Sequence, residues 1–213
     1  MKSSGNFHQT ILLGSHNPHK KEEVAAILSG FQIITPSQVG IQNEPEENGK
    51  TFLENATAKS LYFSQKAPDY LVLADDSGIE VDALDGKPGV HSKRFSGPKG
   101  DSAENNQKLL SLLEGLDRER RKAQFRCAMV LSYQGKALFQ GEGIVRGWIA
   151  FSLRGNQGFG YDPLFYYPPF QKTFGEVPPE EKNRVSHRYL ALRTIQYFLE
   201  TNKFHSFETK IKT

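Results

Sequence analysis

The sequence predicts an α/β fold, because short apolar segments typical of strands alternate with segments typical of amphipathic helices. Residues 10–14 have the pattern of a buried strand, and residues 20–28 have that of a helix with one apolar side. A second short strand follows at residues 33–34. The next helix is predicted from Thr51, which stands three positions before Glu54 as in a capping box. Such alternation is typical of helices packed on a sheet.

The segment of residues 71–97 is the centre of this pattern. Its apolar run at residues 71–74 predicts a buried strand, which is expected to break at Asp75, Asp76, Ser77 and Gly78 before a second strand at residues 79–81. Two interpretations remain open, a simple turn or a functional site, because Asp and Gly favour turns for backbone reasons alone. On an extended strand only one of the two adjacent carboxylates can face a given cleft.

The second half of the chain predicts a hairpin and two further helices. The hairpin strands, residues 125–133 and 136–145, flank Gln134 and Gly135. Asp101, three positions before Glu104, repeats the cap pattern and predicts a helix from residue 102 to about residue 113. This helix is expected to bury Leu109, Leu110, Leu112 and Leu113. The charged segment 115–122 is expected to be a surface connection. In the last helix, which ends near residue 201, the apolar period selects Val185, Tyr189, Leu192, Ile195 and Leu199.

Composition is typical of a soluble globular protein. The chain has 213 residues, of which 37% are hydrophobic and 24% charged. The excess of 27 basic over 24 acidic residues, formally +3, is too small to predict a nucleic-acid or membrane surface. The single cysteine, Cys127, cannot form an intrachain disulfide and lies in an apolar run typical of a core. With no signal-peptide pattern and no run of membrane-spanning length, the expected location is cytoplasmic.

The first candidate site lies between the first strand and the first helix. It consists of Ser15, His16, Asn17, Pro18, His19 and Lys20. Free backbone N–H groups and the helix dipole favour an anion at such a junction, and the lysine would add a positive charge. The alternative is that Ser15 or Asn17 only caps the helix and that Lys20 is a solvated surface residue.

Three further groups complete the candidate chemistry. Glu44, Glu46 and Glu47 lie in a polar loop, and acidic loops are usually just solvated. As an alternative, Glu46 and Glu47 offer, with Asp75 and Asp76, oxygen ligands of the kind that Mg²⁺ prefers. The glycine-rich loop at residues 158–163 would approach a ligand closely and offer the ring of Phe159 for stacking, unless it is a tight turn with that ring packed inward. Near the last helix stand Lys182, His187 and Arg188. The last two fall off the apolar stripe, and cations in a first helical turn need a polar or anionic partner. The inventory fits hydrolysis of a nucleoside triphosphate.

Six blocks of the sequence resemble, in order and spacing, the inosine triphosphate pyrophosphatase family, whose members are also called non-canonical purine NTP or dITP/XTP pyrophosphatases. The blocks are SHNPHK at 15–20, TFLENATAK at 51–59, ADDSG at 74–78, PGVHSKRFSG at 88–97, GFGYDP at 158–163 and EKNRVSHR at 181–188. The resemblance runs from about Ile11 to Leu199. It implies an elongated mixed-sheet α/β fold with two lobes and an active-site cleft between them.

The resemblance also implies an organisation and an activity. We expect one two-lobed domain over residues 1–213, with a family core at 9–200 and a polar tail at 202–213 that frays. Members of the family are typically homodimers and convert ITP, dITP and XTP to the monophosphate and pyrophosphate using Mg²⁺. The expected partner is therefore a small nucleotide, with neither nucleic acid nor membrane.

By position, the resemblance implies a role for each candidate residue. The loop at residues 15–20 resembles the triphosphate-binding loop, and Ser77 resembles a substrate contact. Asp76 resembles the general base that activates water for attack on the α-phosphorus, and it would share Mg²⁺ with Glu46 or Glu47. Phe159, Gly160, Tyr161 and Asp162 resemble the base-stacking loop, and Lys182, His187 and Arg188 the base-reading group. Because an arginine only donates hydrogen bonds, Arg188 would donate to the 6-oxo group of hypoxanthine and xanthine, whereas in adenine it would face a second donor, the 6-amino group.

Three other interpretations are less consistent with the sequence. Related enzymes that act on modified pyrimidine or methylated nucleotides have an arginine in place of Lys20 and lack the Ser-His-Arg group. A nucleotide-sensing or RNA-binding module without turnover has little need of Asp76. Glycoside hydrolysis requires two carboxylates that flank one bond, whereas Asp75 and Asp76 project apart.

Overall fold

The computed structural model describes residues 10–98 and 100–202 as a mixed α/β fold built on one seven-stranded sheet. The strands are β1 (Thr10–Leu13), β2 (Gln32–Ile34), β3 (Leu71–Val81), β4 (Lys122–Tyr133), β5 (Lys136–Ile149), β6 (Phe165–Tyr167) and β7 (Lys172–Thr173). Their order across the sheet is β2-β1-β3-β4-β5-β6-β7. β1 is parallel to β2 and β3, whereas each pair from β3 onward is antiparallel. The predicted mixed-sheet α/β fold is confirmed; the tail expected to fray lies, beyond Asn202, outside the described residues.

In the part of the chain that the structure describes, five α-helices accompany the sheet: α1 (Pro18–Ile27), α2 (Phe52–Lys66), α3 (Ser102–Leu112), α4 (Pro179–Lys182) and α5 (His187–Thr201). Thr51 and Asp101 accept hydrogen bonds from N–H groups of the first turns of α2 and α3, which confirms both predicted caps. Ser186 caps α5 in the same way. Within the described ranges, none of the helices has the length and apolar character needed to cross a membrane.

Two large apolar cores lie along the long strands. β3 contributes Leu73 to the first core and Ile79 to the second, so its polar segment at residues 75–77 lies between them. The first core packs α1 and α5 on the sheet through Leu13, Val24, Met129, Leu192 and Ile195. The second core joins α3 to the sheet and the C-terminal loops through Leu109, Phe125, Val145, Phe165 and Phe174. Cys127 is fully buried in the first core, as predicted.

The continuity of β3 corrects the predicted break at Asp75. The strand runs unbroken from Leu71 to Val81, and Asp75 and Asp76 pair with Met129 and Ala128 of β4. Gly78 does not mark a turn here. A Cβ at this position would lie 2.6 Å from the carbonyl oxygen of Gly89, so the glycine lets a neighbouring segment pack against the strand. Local propensity favoured a turn, but the long antiparallel partner strand keeps the carboxylates in the ladder.

The hairpin between β4 and β5 confirms the prediction. Gln134 has φ 49° and Gly135 has φ 73°, and together they connect the two strands. Positive φ at both central residues is the requirement of a type I′ turn, which matches the twist of antiparallel strands.

Two of the predicted buried helix faces need correction. Leu112 is 49% exposed. The side of α3 that faces the core bears Leu109, and Leu113, the C-cap residue of the helix, is also buried. α5 begins at His187, so Val185 precedes it, and its buried face starts with His187 and Arg188. The apolar period excluded these two residues from that face because it counts any basic side chain as exposed. Here the carboxylates of Glu23 and Asp75 make the burial of Arg188 possible, and the ring of His187 is buried against Phe125.

Arg121 corrects the prediction that residues 115–122 form only a surface connection. Its side chain is 3% exposed. Its guanidinium donates to the carbonyl oxygens of Leu113, Ile149 and Ala150 at 2.7, 2.9 and 2.9 Å. These carbonyls end α3 and β5, so one side chain satisfies backbone acceptors from two elements.

We predict that Arg121→Met lowers the free energy of unfolding by about 3 kcal/mol, because a side chain of similar size removes the charged guanidinium donor from three buried carbonyls. Urea denaturation measures the change. The matched control is Arg120→Met at the exposed neighbouring position, which should leave stability nearly unchanged. An equal effect of both substitutions would contradict the role assigned to Arg121.

Candidate functional site

A cleft of about 630 Å³ opens beside the middle of β3 and gathers almost all the predicted site residues. It is lined by the loop of residues 15–20, by Glu47, Asp76 and Ser77, by Phe159, Gly160, Tyr161 and Asp162, and by Lys182, His187 and Arg188. Glu44 also lines it. Glu46 does not, since its exposed carboxylate accepts a hydrogen bond from Asn48 instead. Of the two acids left open by the sequence, Glu47 is therefore the one at the cleft.

The loop that leads into α1 shows both features that the sequence left as alternatives. Asn17 caps the helix, because its side-chain oxygen accepts from the N–H groups of His19 and Lys20 at 3.0 and 3.4 Å. Ser15 is buried and accepts from the N–H of Asn17. Lys20, however, is not a solvated surface residue, since its ammonium lies 2.9 Å from a carboxylate oxygen of Asp75. The backbone N–H of His16 donates to Glu44.

Asp76 is held in one orientation at the floor of the cleft. One carboxylate oxygen accepts a 2.8 Å hydrogen bond from the side chain of Asn55, and the other accepts from the N–H of Ser77 at 3.0 Å. The residue is 6% exposed. Burial raises the pKa of its carboxyl group above the ordinary value, and the charges of Lys59 and Lys20 oppose that rise. Asp76 is thus a fixed carboxylate and a stronger base than an exposed aspartate.

Lys59 lies between the two acids of the cleft. Its ammonium is 2.8 Å from Glu47 and 3.9 Å from Asp76, and its side chain is 4% exposed. Burial alone would lower the pKa of this lysine, but Asp75, Asp76 and Glu47 raise it. Burial alone would raise the pKa of Glu47, but the charge of Lys59 lowers it below the ordinary value. The lysine therefore stays positive and neutralises part of the acidic charge.

The opposite face of β3 bears the other member of the aspartate pair. Asp75 is fully buried, and it accepts hydrogen bonds from Lys20 and from the guanidinium of Arg188 at 2.9 and 3.1 Å. Although burial raises the pKa of this carboxyl group, the two cations hold it far below its ordinary range. Asp75 is a buried anchor for basic groups, while Asp76 faces the cleft.

The anchored basic groups continue as a chain of buried ion pairs. Glu23 of α1 binds Arg188 through one oxygen and Lys182 through the other, the latter at 2.8 Å. Lys182 also contacts Asp162 at 2.6 Å. Burial alone would raise the pKa of Glu23, but Arg188 and Lys182 lower it to about 2. One network therefore connects the loop at residues 15–20 with the loop at residues 158–162.

The aromatic loop presents its ring to the cleft. Phe159 is partly exposed rather than packed inward, and His19 stacks on it with ring centroids 5.4 Å apart. The Lys182 ammonium lies 5.0 Å from the centroid of the same ring. Gly158 and Gly160, with φ 72° and 62°, form the bends of the loop. The carboxylate of Asp162 accepts from the N–H of Phe159 at 2.8 Å and fixes the loop from within.

Two buried polar atoms at this end of the cleft have no partner in the described part of the chain. They are Nδ1 of His187 and Nε of Arg188. His187 stacks on Phe125, and burial lowers its pKa well below the ordinary value, so its ring is neutral. Buried polar atoms are rarely left unpaired, and both side chains line the cleft. They are positioned to bind a polar ligand.

Asn55 and Lys59 are four positions apart in α2, a spacing that predicts a shared helix face able to flank a cleft, and both contact Asp76 in the structure. Sequence reasoning missed Glu23. Glu23 follows Lys20 by one helical turn, and nothing in an acidic helix residue distinguishes it from a solvated one. What assigns Glu23 to the site is its contact with residues more than 150 positions away.

Comparison with known proteins agrees with this fold. Residues 11–198 match the model of the Ham1 family. A dITP/XTP pyrophosphatase of Desulforamulus reducens is 42% identical over 197 residues, which cover 92% of this chain and 98% of the relative. One of Bacillus subtilis is 42% identical over 191 residues, 89% of this chain and 96% of the relative.

Solved structures give the same result. The Ham1 protein of Staphylococcus aureus superposes with a TM-score of 0.79 at 37% identity, covering 91% of this chain and all of that one. A HAM1 protein of Coxiella burnetii gives a TM-score of 0.81 at 37% identity over 91% of this chain and 99% of that one. The match to nearly the whole chain in sequence and in structure shows that this protein belongs to the Ham1 family.

Proposed function

We propose that this protein hydrolyses the non-canonical purine nucleoside triphosphates ITP, dITP and XTP to the monophosphate and pyrophosphate, and so removes deaminated purines from the nucleotide pool. The observation that supports this most is the position of Asp76. It is an oriented, buried carboxylate between a basic loop at one end of the cleft and an aromatic loop at the other. The relatives named dITP/XTP pyrophosphatase, which this chain matches over nearly their whole length, support the same activity.

Asp76 would act as the general base. Asn55 and the N–H of Ser77 bind its oxygens, so the carboxylate cannot rotate away from a water placed in the cleft. Burial raises its pKa and hence its basicity. A base held within hydrogen-bond reach of the attacking water accepts its proton as the bond to the α-phosphorus forms, and the departing group is pyrophosphate.

The residues present fit a magnesium ion that is bound jointly with the substrate. Glu47 and Asp76 are carboxylates that line one wall of the cleft, which is the donor chemistry Mg²⁺ prefers. No group of three or more His, Cys, Asp or Glu side chains that could hold a metal occurs in residues 10–98 and 100–202. Mg²⁺ typically completes its octahedron with phosphate oxygens and water, so two carboxylates suffice. When bound, the ion would neutralise phosphate charge and polarise the phosphoryl group.

The cleft would recognise the base through fixed donors. Nη1 and Nη2 of Arg188 are held by Glu23 and Asp75, which leaves Nε as the buried donor without a partner among the described residues. A 6-oxo purine offers an acceptor to a donor in this position, whereas adenine offers a 6-amino donor. Phe159 supplies the stacking surface, because its ring is partly exposed in the cleft.

We further infer that the protein acts in the cytoplasm as a homodimer of single two-lobed domains, with a nucleotide as its small-molecule partner. The exposed side chains of Phe151 and Leu153, 61% and 53% accessible, support a surface available to a second copy. Sedimentation equilibrium would measure the mass directly, and a monomer at all concentrations would exclude the dimer.

The activity is tested by measuring pyrophosphate release from ITP, dITP, XTP, ATP, GTP and dTTP, with Mg²⁺ and with EDTA. We expect fast release from the first three with Mg²⁺ and little from the others or in EDTA. Release only from pyrimidine nucleotides would assign the protein to a different pyrophosphatase class. No release from any substrate would leave a binding protein and remove the role proposed for Asp76.

We predict that Asp76→Asn lowers kcat for ITP by about 10³-fold, because the amide cannot accept the proton from water while the shape of the side chain is kept. Initial rates give kcat, and equilibrium dialysis in EDTA gives the affinity for ITP, which should stay within about threefold. Asp82→Asn is the matched control, since Asp82 is exposed just after β3 and should not affect turnover. A fully active Asp76→Asn enzyme would rule out the general base.

We predict that Glu23→Gln lowers stability at neutral pH and that the loss disappears in acid. The ordinary pKa of 4.5 falls to about 2 in the folded protein. The carboxylate therefore contributes stability above pH 4.5, and that contribution, roughly 3 kcal/mol, is lost as pH falls from about 5 to about 2.

Urea denaturation of both proteins between pH 2.5 and 7 measures this difference, with Glu22→Gln, at an exposed neighbouring position, as control. The difference between wild type and Glu23→Gln should shrink steadily with acidification. A difference that is independent of pH would show that the carboxylate charge is not what stabilises the network.

A further inference from the structure

The aromatic loop is fixed at a second point, from outside the cleft. The side-chain amide of Asn106, in α3, donates a 2.9 Å hydrogen bond to the carbonyl oxygen of Gly160. Gly160 lines the cleft next to Phe159, whereas Asn106 does not touch the cleft. We infer that Asn106 is a positioning residue, which holds the aromatic loop at the separation from His187 and Arg188 that a purine base requires. This inference rests on the proposed function.

Packing alone does not fix the loop at Gly160. A Cβ built on this residue would meet no heavy atom of the described chain within 4 Å, so there is open space around it. Both Gly158 and Gly160 have positive φ, and glycine has more accessible backbone conformations than any other residue. The neighbouring Tyr161 is anchored in the second core and donates to the carbonyl of Ser92, whereas the hydrogen bond from Asn106 acts on the carbonyl of Gly160 itself.

The helix that bears Asn106 is itself rigidly held. Leu109 and Leu113 anchor its C-terminal half in the second core. Near its start, the side chain of Asn105 accepts from the N–H of Ser96 at 2.6 Å and donates to the carbonyl of Lys93 at 3.0 Å. Adjacent asparagines of one helix thus bind two loops that reach the same cleft. Through these bonds α3 fixes the distance between the segment at residues 93–96 and the aromatic loop.

The buried environment of Asn106 indicates a role other than stability. The residue is 5% exposed, and its side-chain oxygen is buried with no hydrogen-bond donor in the part of the chain described. An unpaired buried acceptor destabilises the folded state, which offsets what the bond to Gly160 contributes. Removing the amide should consequently change the stability little while releasing the loop.

The first test is the kinetics of ITP hydrolysis by Asn106→Ala and Asn106→Asp. The second variant keeps the size of the side chain but places an acceptor against the Gly160 carbonyl. We expect KM to rise roughly tenfold in both variants, with kcat within about twofold, because the loop would bind the base without touching the attacking water. The melting temperature of Asn106→Ala should stay within a few degrees of the wild type.

Ser64→Ala is the matched control. Ser64 is buried in α2 and accepts a 3.1 Å hydrogen bond from the N–H of Gly135, so it also fixes a glycine turn, but one distant from the cleft. It should leave KM unchanged. An unchanged KM for both Asn106 variants, a fall in kcat alone, or an equal rise of KM in Ser64→Ala would overturn the inference.

A second readout does not depend on any substrate. Hydrogen exchange of the amides of residues 158–161 should be at least tenfold faster in Asn106→Ala than in the wild type, and unchanged in Ser64→Ala. Equal exchange in wild type and variant would show that Asn106 does not restrain the loop. If the wild type released no pyrophosphate from ITP, the proposed function would fail, while this measurement would still decide whether the restraint exists.

Discussion

The fully buried carboxylate of Asp75 is the constraint on which the rest of the site depends. An unpaired charge in a protein interior costs several kcal/mol, so the fold must bring cations to it. Lys20 comes from α1 and Arg188 from α5, at 2.9 and 3.1 Å. Because β3 bears Asp75 in the middle of the sheet, both helices have to pack against the same short segment. The side chain of Asp75 therefore determines where the first turns of α1 and α5 lie, and these turns form two walls of the cleft.

The alternation of side chains along β3 separates two roles that adjacent aspartates might otherwise share. Asp75 faces the ion pairs, and Asp76 faces the cleft, where Asn55 and the Ser77 N–H orient it. A turn at these residues, one of the two interpretations that the sequence left open, would have allowed both carboxylates to approach one metal or one water, with mutual repulsion. The continuous strand gives one low-pKa anchor and one carboxylate of raised pKa instead. Opposite pKa shifts of neighbouring acids are thus a consequence of strand geometry.

The sequence predicted those parts of the fold and site that depend on local pattern. The hairpin at Gln134 and Gly135, the caps at Thr51 and Asp101 and the loop at residues 15–20 are all of this kind. It did not predict buried polar groups whose partners are distant in the chain. Arg121 was assigned to a surface connection, and Arg188 was expected to meet a polar or anionic partner that the sequence could not identify. The carbonyl and carboxylate partners of both come from other elements of the fold. Glu23 was missed for the same reason.

The ion network also explains how a cleft of this kind would discriminate between bases. A free arginine could rotate to avoid a 6-amino group, and discrimination would then be small. Here Glu23 and Asp75 hold the guanidinium of Arg188, and Asp162 holds both Lys182 and the aromatic loop. Because the donors cannot move, a base with the wrong edge leaves buried polar groups unpaired, and that penalty is what makes hydrogen-bonded sites selective. Buried ion pairs that add little net stability would then be retained because they keep the recognition groups fixed.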